Sequence, residues 1–281
     1  MKTVLLTADQ PRQMFISHVI SRHCDLAEVV VERKSESLIR FTNFVSSVNY
    51  STPALFKKIC SKFRLRHLDN RYYAAESKLL LEEAGDIGFP DCPLRYVTDI
   101  NHADTVRHIG SLDPDLIVVS GTSLIKEPIF NIEPKYGLIN LHAGLSPYYR
   151  GGPCTFWALF NEEPEYIGVT IHWLSLGIDS GNIISSERIR DIKENDNEAT
   201  LDMKVFRAGA RLIGNALDCL SEGASLPSIE QWEQGTVFYY RYFTAEARLD
   251  LEQRLQLGLL RRLITERGLQ ASQVTEFPIG D

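Results

Sequence analysis

The opening of the chain constrains its fold more than any other feature. Thr3-Val-Leu-Leu-Thr7 is an apolar run with the length of a buried strand, residues 10–23 place Met14, Ile16, Val19 and Ile20 at near-helical spacing, and Ala27-Glu-Val-Val-Val31 is a second buried run. A β-α-β unit of this kind implies parallel strands joined by a right-handed crossover, with the helix packed on the sheet face. The alternation continues through Leu94-Arg-Tyr-Val97, Leu116-Ile-Val-Val-Ser120 and Gly137-Leu-Ile-Asn-Leu141, with helical segments at residues 102–111 and 127–130 between them. The expected fold class is α/β: a doubly wound, mostly parallel, Rossmann-like sheet, whose ligands gather beyond the carboxyl ends of its strands.

Other segments are read as additions to that sheet. Residues 37–85 are helical in pattern and rich in charge, with Phe56, Ile59, Phe63 and Leu79-Leu-Leu81 as core positions. They also carry a basic cluster of Lys57, Lys58, Lys62, Arg64, Arg66 and Arg71, best read as a solvated helix face. Residues 200–220 form an amphipathic helix (Leu201, Val205, Ala208, Leu212, Ile213, Leu217, Leu220), closed by Gly223 as a C-cap. A short strand at residues 237–240 and a helix at residues 245–266 follow, and the last ten residues are expected to fray. This gives a main domain over residues 1–223 with a helical insertion at about 37–88, and a small C-terminal appendage over residues 224–281.

Composition excludes several function classes. With 44% hydrophobic and 24% charged residues the chain is of ordinary globular make-up, and a net charge of −7 supplies no general field for phosphate backbones. Asp9 arrives too early for a signal-peptide apolar region, and no apolar run approaches the roughly 18 residues of a membrane span. The five cysteines are scattered, with no Cys-x-x-Cys pair, so neither a disulfide framework nor a metal site is expected. The reading is a reduced, cytoplasmic protein that binds no metal, no membrane and no nucleic acid in general.

The chemistry concentrates in Gly137-Leu-Ile-Asn140-Leu-His142-Ala-Gly-Leu-Ser-Pro-Tyr-Tyr-Arg-Gly151 and in Gly177-Ile-Asp-Ser-Gly181. Asn140 and His142 stand two apart at the end of a strand and so face the same side. Asp179 arrives on a second, glycine-flanked loop. An amide donor, a titratable imidazole and a carboxylate can together move an acyl group onto a nucleophile and stabilise the oxyanion that forms. His172, in the apolar run Val169-Thr-Ile-His-Trp173, is read as structural.

Residues 115–223 resemble the 10-formyltetrahydrofolate-dependent formyltransferases. The resemblance rests on the Asn-x-His strand end, on Leu145-Ser-Pro-Tyr-Tyr-Arg-Gly-Gly152, on Gly168-Val-Thr-Ile-His172 and on Gly177-Ile-Asp-Ser-Gly-Asn-Ile-Ile184, in order and at family-like spacing. It implies catalytic roles for Asn140, His142 and Asp179, and 10-formyltetrahydrofolate as co-substrate. It further implies that Gly121, Thr122, Ser123, Leu124 and Ile125 line one wall of the pterin pocket and Leu176, Gly177 and Ile178 the other.

The acceptor is less sharply marked. The glycinamide ribonucleotide members need a glycine-rich phosphate loop after the first strand, where this chain has Thr7-Ala-Asp-Gln-Pro-Arg12. The methionyl-tRNA members carry a large basic C-terminal β-domain, whereas residues 225–281 here mix both charge signs. The resemblance is therefore taken toward the sugar N-formyltransferases and lipopolysaccharide biosynthesis, with a nucleotide-linked amino sugar as acceptor. Tyr148, Tyr149, Arg150, Gly151, Trp232, Tyr239 and Arg241 are the expected acceptor contacts. Arg150 reads equally as a phosphate contact or a holder of a surface carboxylate. The segment around Tyr239 competes with a role in a hairpin core or a homodimer. The alternatives are another small amine such as a hydroxyornithine-type siderophore precursor, methionyl-tRNA, and a folate-binding pseudoenzyme.

Overall fold

The computed structural model describes residues 1–33, 52–83, 85, 88–267 and 274–277. Its strands and helices run β1 (Lys2–Ala8), α1 (Pro11–His23), β2 (Asp25–Glu32), α2 (Thr52–Glu83), β3 (Leu94–Val97), α3 (Ala103–Ser111), β4 (Leu116–Ser120), α4 (Glu127–Phe130), β5 (Leu138–His142), β6 (Tyr149–Gly151), α5 (Cys154–Phe160), β7 (Gly168–Trp173), β8 (Ile183–Arg188), α6 (Glu198–Ser221), β9 (Thr236–Phe238), α7 (Ala245–Gln256) and α8 (Leu259–Arg267). Seven strands form one sheet in the order β3-β2-β1-β4-β5-β7-β8. The first five are parallel, while β7 pairs antiparallel with β5, and β8 antiparallel with β7.

Alternation along the strands divides the core between the two faces of this sheet. Leu5, Val29, Val31, Val118, Ile139 and Leu141 join one cluster with Phe15, Ile16 and Ile20 of α1 and the buried stripe of α6. Val4, Leu6, Val30, Ile117, Val119 and Leu138 join the other, with Ile109 of α3 and Ile129 of α4. The fold is thus the mostly parallel α/β sheet with flanking helices expected from the opening of the chain. Asn197 caps α6 by accepting from the Ala199 and Thr200 N–H groups at 3.0 and 3.3 Å, while Thr200 Oγ1 accepts from the Asn197 N–H at 2.9 Å. Gly223, at φ +81°, terminates the helix as expected.

Several expectations need correction. Leu79 and Leu80 of α2 are buried against the sheet domain, but Phe63 is 70% exposed and Leu81 faces water. Helical spacing identifies the stripe, yet a long helix covered on one side leaves part of it bare. Phe56, Ile59, Lys57 and Lys58 lie outside the residues whose side chains are described, as do residues 37–51 of the insertion. Among the rest of the basic cluster, Lys62, Arg64 and Arg66 are exposed and Arg71 is bonded to Glu252 at 2.9 and 2.6 Å. The single helix expected over residues 245–266 is two, divided at Gly258, whose φ of +87° suits glycine alone. The strand expected at residues 237–240 is β9, and the chain then enters a 3₁₀ turn at Tyr240–Tyr242. Residues 274–277 do not fray: the Ser186 N–H and Ser185 Oγ both donate to the Phe277 carbonyl at 2.8 Å.

A charged core joins α2, α6 and α7. Glu198, the first residue of α6, shares a cavity with Arg71, Arg248 and Glu252. Burial, reinforced by Asp202, pushes its pKa up from 4.5 to about 7, against the pull of Arg248 and Arg71. The folded chain therefore keeps a proton between pH 4.5 and about 7 that the unfolded chain has released, so stability falls as pH rises through that window. Glu198→Gln is expected to raise the midpoint of thermal unfolding by a few degrees at pH 8, corresponding to about 1–2 kcal/mol, and to leave it unchanged at pH 4. An equal offset at both pH values would show that Glu198 is not the titrating group.

Candidate active site

Antiparallel register assembles the candidate site. Asn140 and His142 share the parity of Leu138, and β7 sets His172 opposite Asn140 and Thr170 opposite His142. Asn140 is 8% exposed, His142 6% and His172 1%. The Asn140 Nδ2 donates to His172 Nε2 at 3.0 Å and to Asp179 Oδ1 at 3.2 Å. His172 Nδ1 lies 2.8 Å from the Trp173 carbonyl, which places its proton on Nδ1 and leaves Nε2 as the acceptor for Asn140. His142 has an acceptor at each nitrogen: Asp179 Oδ2 is 3.3 Å from Nδ1, and the Tyr149 carbonyl is 3.0 Å from Nε2.

Asp179 is the hub. Its Oδ2 also accepts from the Gly151 N–H at 2.8 Å, and its backbone carries a φ of +45°, a left-handed conformation that Asp tolerates better than most residues. Gln231 Nε2 fastens this loop by donating to the carbonyls of Asp179 and Gly181 at 2.9 and 2.8 Å. Gly181 is required there, because a Cβ would lie 1.7 Å from the Trp173 carbonyl oxygen. Burial pushes the Asp179 pKa up, but His142, His172 and the Gly151 N–H outweigh it, holding the carboxyl well below the usual range. Burial pulls the His142 pKa below 6.5, and the opposing Asp179 and Tyr149 carbonyl do not restore it. Near pH 7 the pair is a fixed carboxylate beside a neutral imidazole, able to accept one proton.

The expected donor-pocket residues divide into structural and exposed groups. Gly121 has a φ of +76°, and a Cβ would lie 2.4 Å from Gln13 Nε2. Local backbone and Gln13 packing alone therefore demand glycine there. The Ser123 N–H and Oγ are both bound by Glu32, at 2.7 and 2.8 Å, and Ile125 is buried in the second core cluster. Ile125 therefore holds the loop, while Ser123, fastened to Glu32, remains exposed on it. Thr122 is half-buried, its Oγ1 bonded to the Ser123 carbonyl at 2.9 Å. Leu124 and Leu176 are 54% and 66% exposed; Gly177 is exposed at φ +138° and Ile178 half-buried beside them. The two loops thus leave apolar side chains open to a ligand.

On the acceptor side Tyr149 is corrected: its ring is buried, stacks on Phe238 with centroids 4.9 Å apart, and its hydroxyl is bonded to Glu163 and Asn161. Only its carbonyl reaches the site. Tyr148 packs on Trp232 at 5.7 Å, and Arg241 lies 4.7 and 4.9 Å above the Tyr239 and Tyr242 rings. Arg150 donates to the Gly235 carbonyl at 3.4 Å, while its Nε is buried with no partner among the described residues. Gly151, at φ +81°, closes β6 where it pairs with β9. Beyond β1, where a glycine nest would hold a phosphate, Asp9 is bonded to Arg33 at 2.7 Å and Arg12 is paired with Glu76 between the Tyr72 and Phe206 rings.

Sequence reasoning missed His172 and Gln231. No pattern marks Gln231, and His172 looks like a core residue until the register of β7 against β5 is known.

Known proteins similar to this chain in sequence or fold are formyltransferases. The formyl transferase family profile matches residues 74–217, just over half of the chain. The methionyl-tRNA formyltransferase of Caldanaerobacter subterraneus subsp. tengcongensis is 34% identical over 137 residues, 48% of this chain and 43% of that protein, so the match spans less than half of the relative's length. Among solved structures, a sugar N-formyltransferase from Shewanella sp. FDAARGOS_354 superposes with a TM-score of 0.55 at 18% identity, covering 89% of this chain and 87% of that one. A 4-N formyltransferase from Francisella tularensis gives 0.54 at 16% identity, covering 85% and 77%. At these identities the superpositions establish a shared fold. Among the described residues, no helix is long and apolar enough to cross a membrane.

Proposed function

We propose that this chain, which belongs to the formyl transferase family, transfers a formyl group from 10-formyltetrahydrofolate to a primary amine held by a nucleotide-linked sugar. The observation that carries the reading is the cluster of Asn140, His142 and Asp179, with the carboxylate 3.2 Å from the amide nitrogen and 3.3 Å from the imidazole.

In this reading the amine nitrogen attacks the formyl carbon, and negative charge gathers on the formyl oxygen. One Asn140 amide proton stays with His172 Nε2, and the other leaves its long bond to Asp179 for that oxygen. Neutral His142 takes the amine proton, with Asp179 stabilising the imidazolium that results. The imidazolium then gives that proton up to N10 of the folate as the bond from carbon to N10 breaks, which yields the formamide and tetrahydrofolate and leaves His142 neutral again. Leu124 and Leu176 supply apolar contact to the pterin, and Gly121 keeps the first wall in its turn.

The acceptor class follows from what surrounds β1 and β6. Asp9, Pro11 and the paired Arg12 leave no phosphate nest after β1, whereas half-buried Arg150 and the exposed Trp232, Tyr239 and Arg241 offer cations and aromatic faces beside the site. The test is turnover with 10-formyltetrahydrofolate and a panel of dTDP-, UDP- and GDP-linked 3- and 4-amino sugars, beside hydroxyornithine and methionyl-tRNA. Formylation of a nucleotide sugar supports the proposal. Formylation confined to hydroxyornithine or the tRNA would move the acceptor to that class.

A further inference from the structure

The parallel pairing of β6 with β9 brings the C-terminal appendage onto the site. Phe238 pairs with Gly151, its carbonyl accepts from the Gly152 N–H at 3.0 Å, and the chain turns at once into Tyr240–Tyr242. This turn aims the Tyr240 ring back at the loop whose Gly151 N–H holds Asp179. A Cβ on Gly152 would lie 3.1 Å from the Tyr240 hydroxyl and 3.2 Å from its ring, so the absence of a side chain at Gly152 leaves room for the phenol.

Tyr240 is 72% exposed with its hydroxyl lying over Gly152, and desolvation there raises its pKa, which keeps it protonated. A water-accessible phenol thus stands beside the loop whose Gly151 N–H holds Asp179. The hydroxyl has no hydrogen-bond partner among the described residues. Kept protonated, it is a donor, and its natural partner is a ligand oxygen.

We propose that the Tyr240 hydroxyl donates to a hydroxyl or carbonyl oxygen of the acceptor next to its reacting amine, and so determines which amines the site accepts. This rests on the formyl-transfer reading and narrows its acceptor to an oxygen-bearing amine such as an amino sugar, as opposed to a simple alkylamine. It also gives the appendage a part in specificity, where β9 serves as the arm that carries the contact.

The experiment uses the full chain, 10-formyltetrahydrofolate, and whichever amino sugar of the panel the unmutated protein formylates fastest. Tyr240→Phe is expected to raise the acceptor KM about five- to tenfold, the loss associated with one neutral hydrogen bond, with the donor KM unchanged. The same substitution at Tyr73, 61% exposed on α2, is expected to leave both constants unchanged. Against a deoxy acceptor lacking the neighbouring oxygen, the KM difference between Tyr240→Phe and the unmutated protein is expected to vanish. A structural role for the ring would not produce that loss of coupling. Turnover with an unchanged acceptor KM in Tyr240→Phe, or a KM difference that persists with the deoxy acceptor, overturns the proposal. If the unmutated chain formylates none of the amines, the formyl-transfer reading fails and takes the proposal with it.

Discussion

Asp179→Asn is expected to lower kcat by at least ~10²-fold while leaving the affinity for a non-reactive folate such as the 5-formyl analogue within an order of magnitude. The substitution keeps the left-handed backbone at φ +45°, which asparagine also tolerates, and it keeps the shape of the side chain. It removes the charge that faces His142 at 3.3 Å, so the imidazolium formed when the amine proton arrives loses its stabilising partner. Alanine would add backbone strain and free the Gly151 N–H at once, and for that reason is the less clean replacement. Asn140→Ala and His142→Ala are expected to lose turnover on the same ~10²-fold scale, through the oxyanion donor and the proton acceptor respectively. Steady-state turnover and calorimetry on the same preparations separate the two effects. Near-normal kcat in any one variant would remove that residue from the mechanism.

Gly151→Ala is expected to damage stability and turnover together. Its φ of +81° costs a non-glycine residue about 1–2 kcal/mol, and a Cβ would lie 2.2 Å from the Phe238 carbonyl oxygen, a backbone atom with little freedom to move. The β6–β9 pairing must open to relieve that contact, and the Gly151 N–H that holds Asp179 moves with it. Gly223→Ala makes the comparison sharp: its φ is also +81°, but a Cβ there meets nothing within 4 Å. In urea unfolding, Gly223→Ala is expected to lose about 1 kcal/mol with turnover intact, and Gly151→Ala about 3 kcal/mol or more with turnover reduced at least tenfold. Equal losses at the two sites would mean that β9 is not seated on β6.

The legible parts of the chain were those whose physics is local. Short apolar runs mark the parallel strands, because a strand covered on both faces must be apolar wherever it lies; only β3, at the edge, is largely exposed. Asn140 and His142 stood out because two polar residues at the same parity interrupt such a run. What stayed hidden depends on pairing between distant segments. His172 becomes a partner of Asn140 through the antiparallel register of β5 and β7, which no spacing encodes. Tyr149 was assigned to the acceptor although its ring packs on Phe238, a residue 89 positions later that only the β6–β9 ladder brings near. Ile125 looks like a pocket wall because the loop resembles one, yet the core claims it. Phe63 followed helical spacing into an expected core that does not extend that far along α2.

In the proposed reaction this cluster moves a formyl group from a reduced folate to an amine. The measurement that addresses it most directly is a single-turnover mixing of the unmutated chain with 10-formyltetrahydrofolate, with and without an amino-sugar nucleotide, following tetrahydrofolate and the formamide together. Both are expected to appear in equal amounts only when the amine is present, and His142→Ala is expected to slow their appearance at least ~10²-fold. Folate left intact with every amine of the panel, or formamide formed at the unmutated rate in His142→Ala, would contradict it.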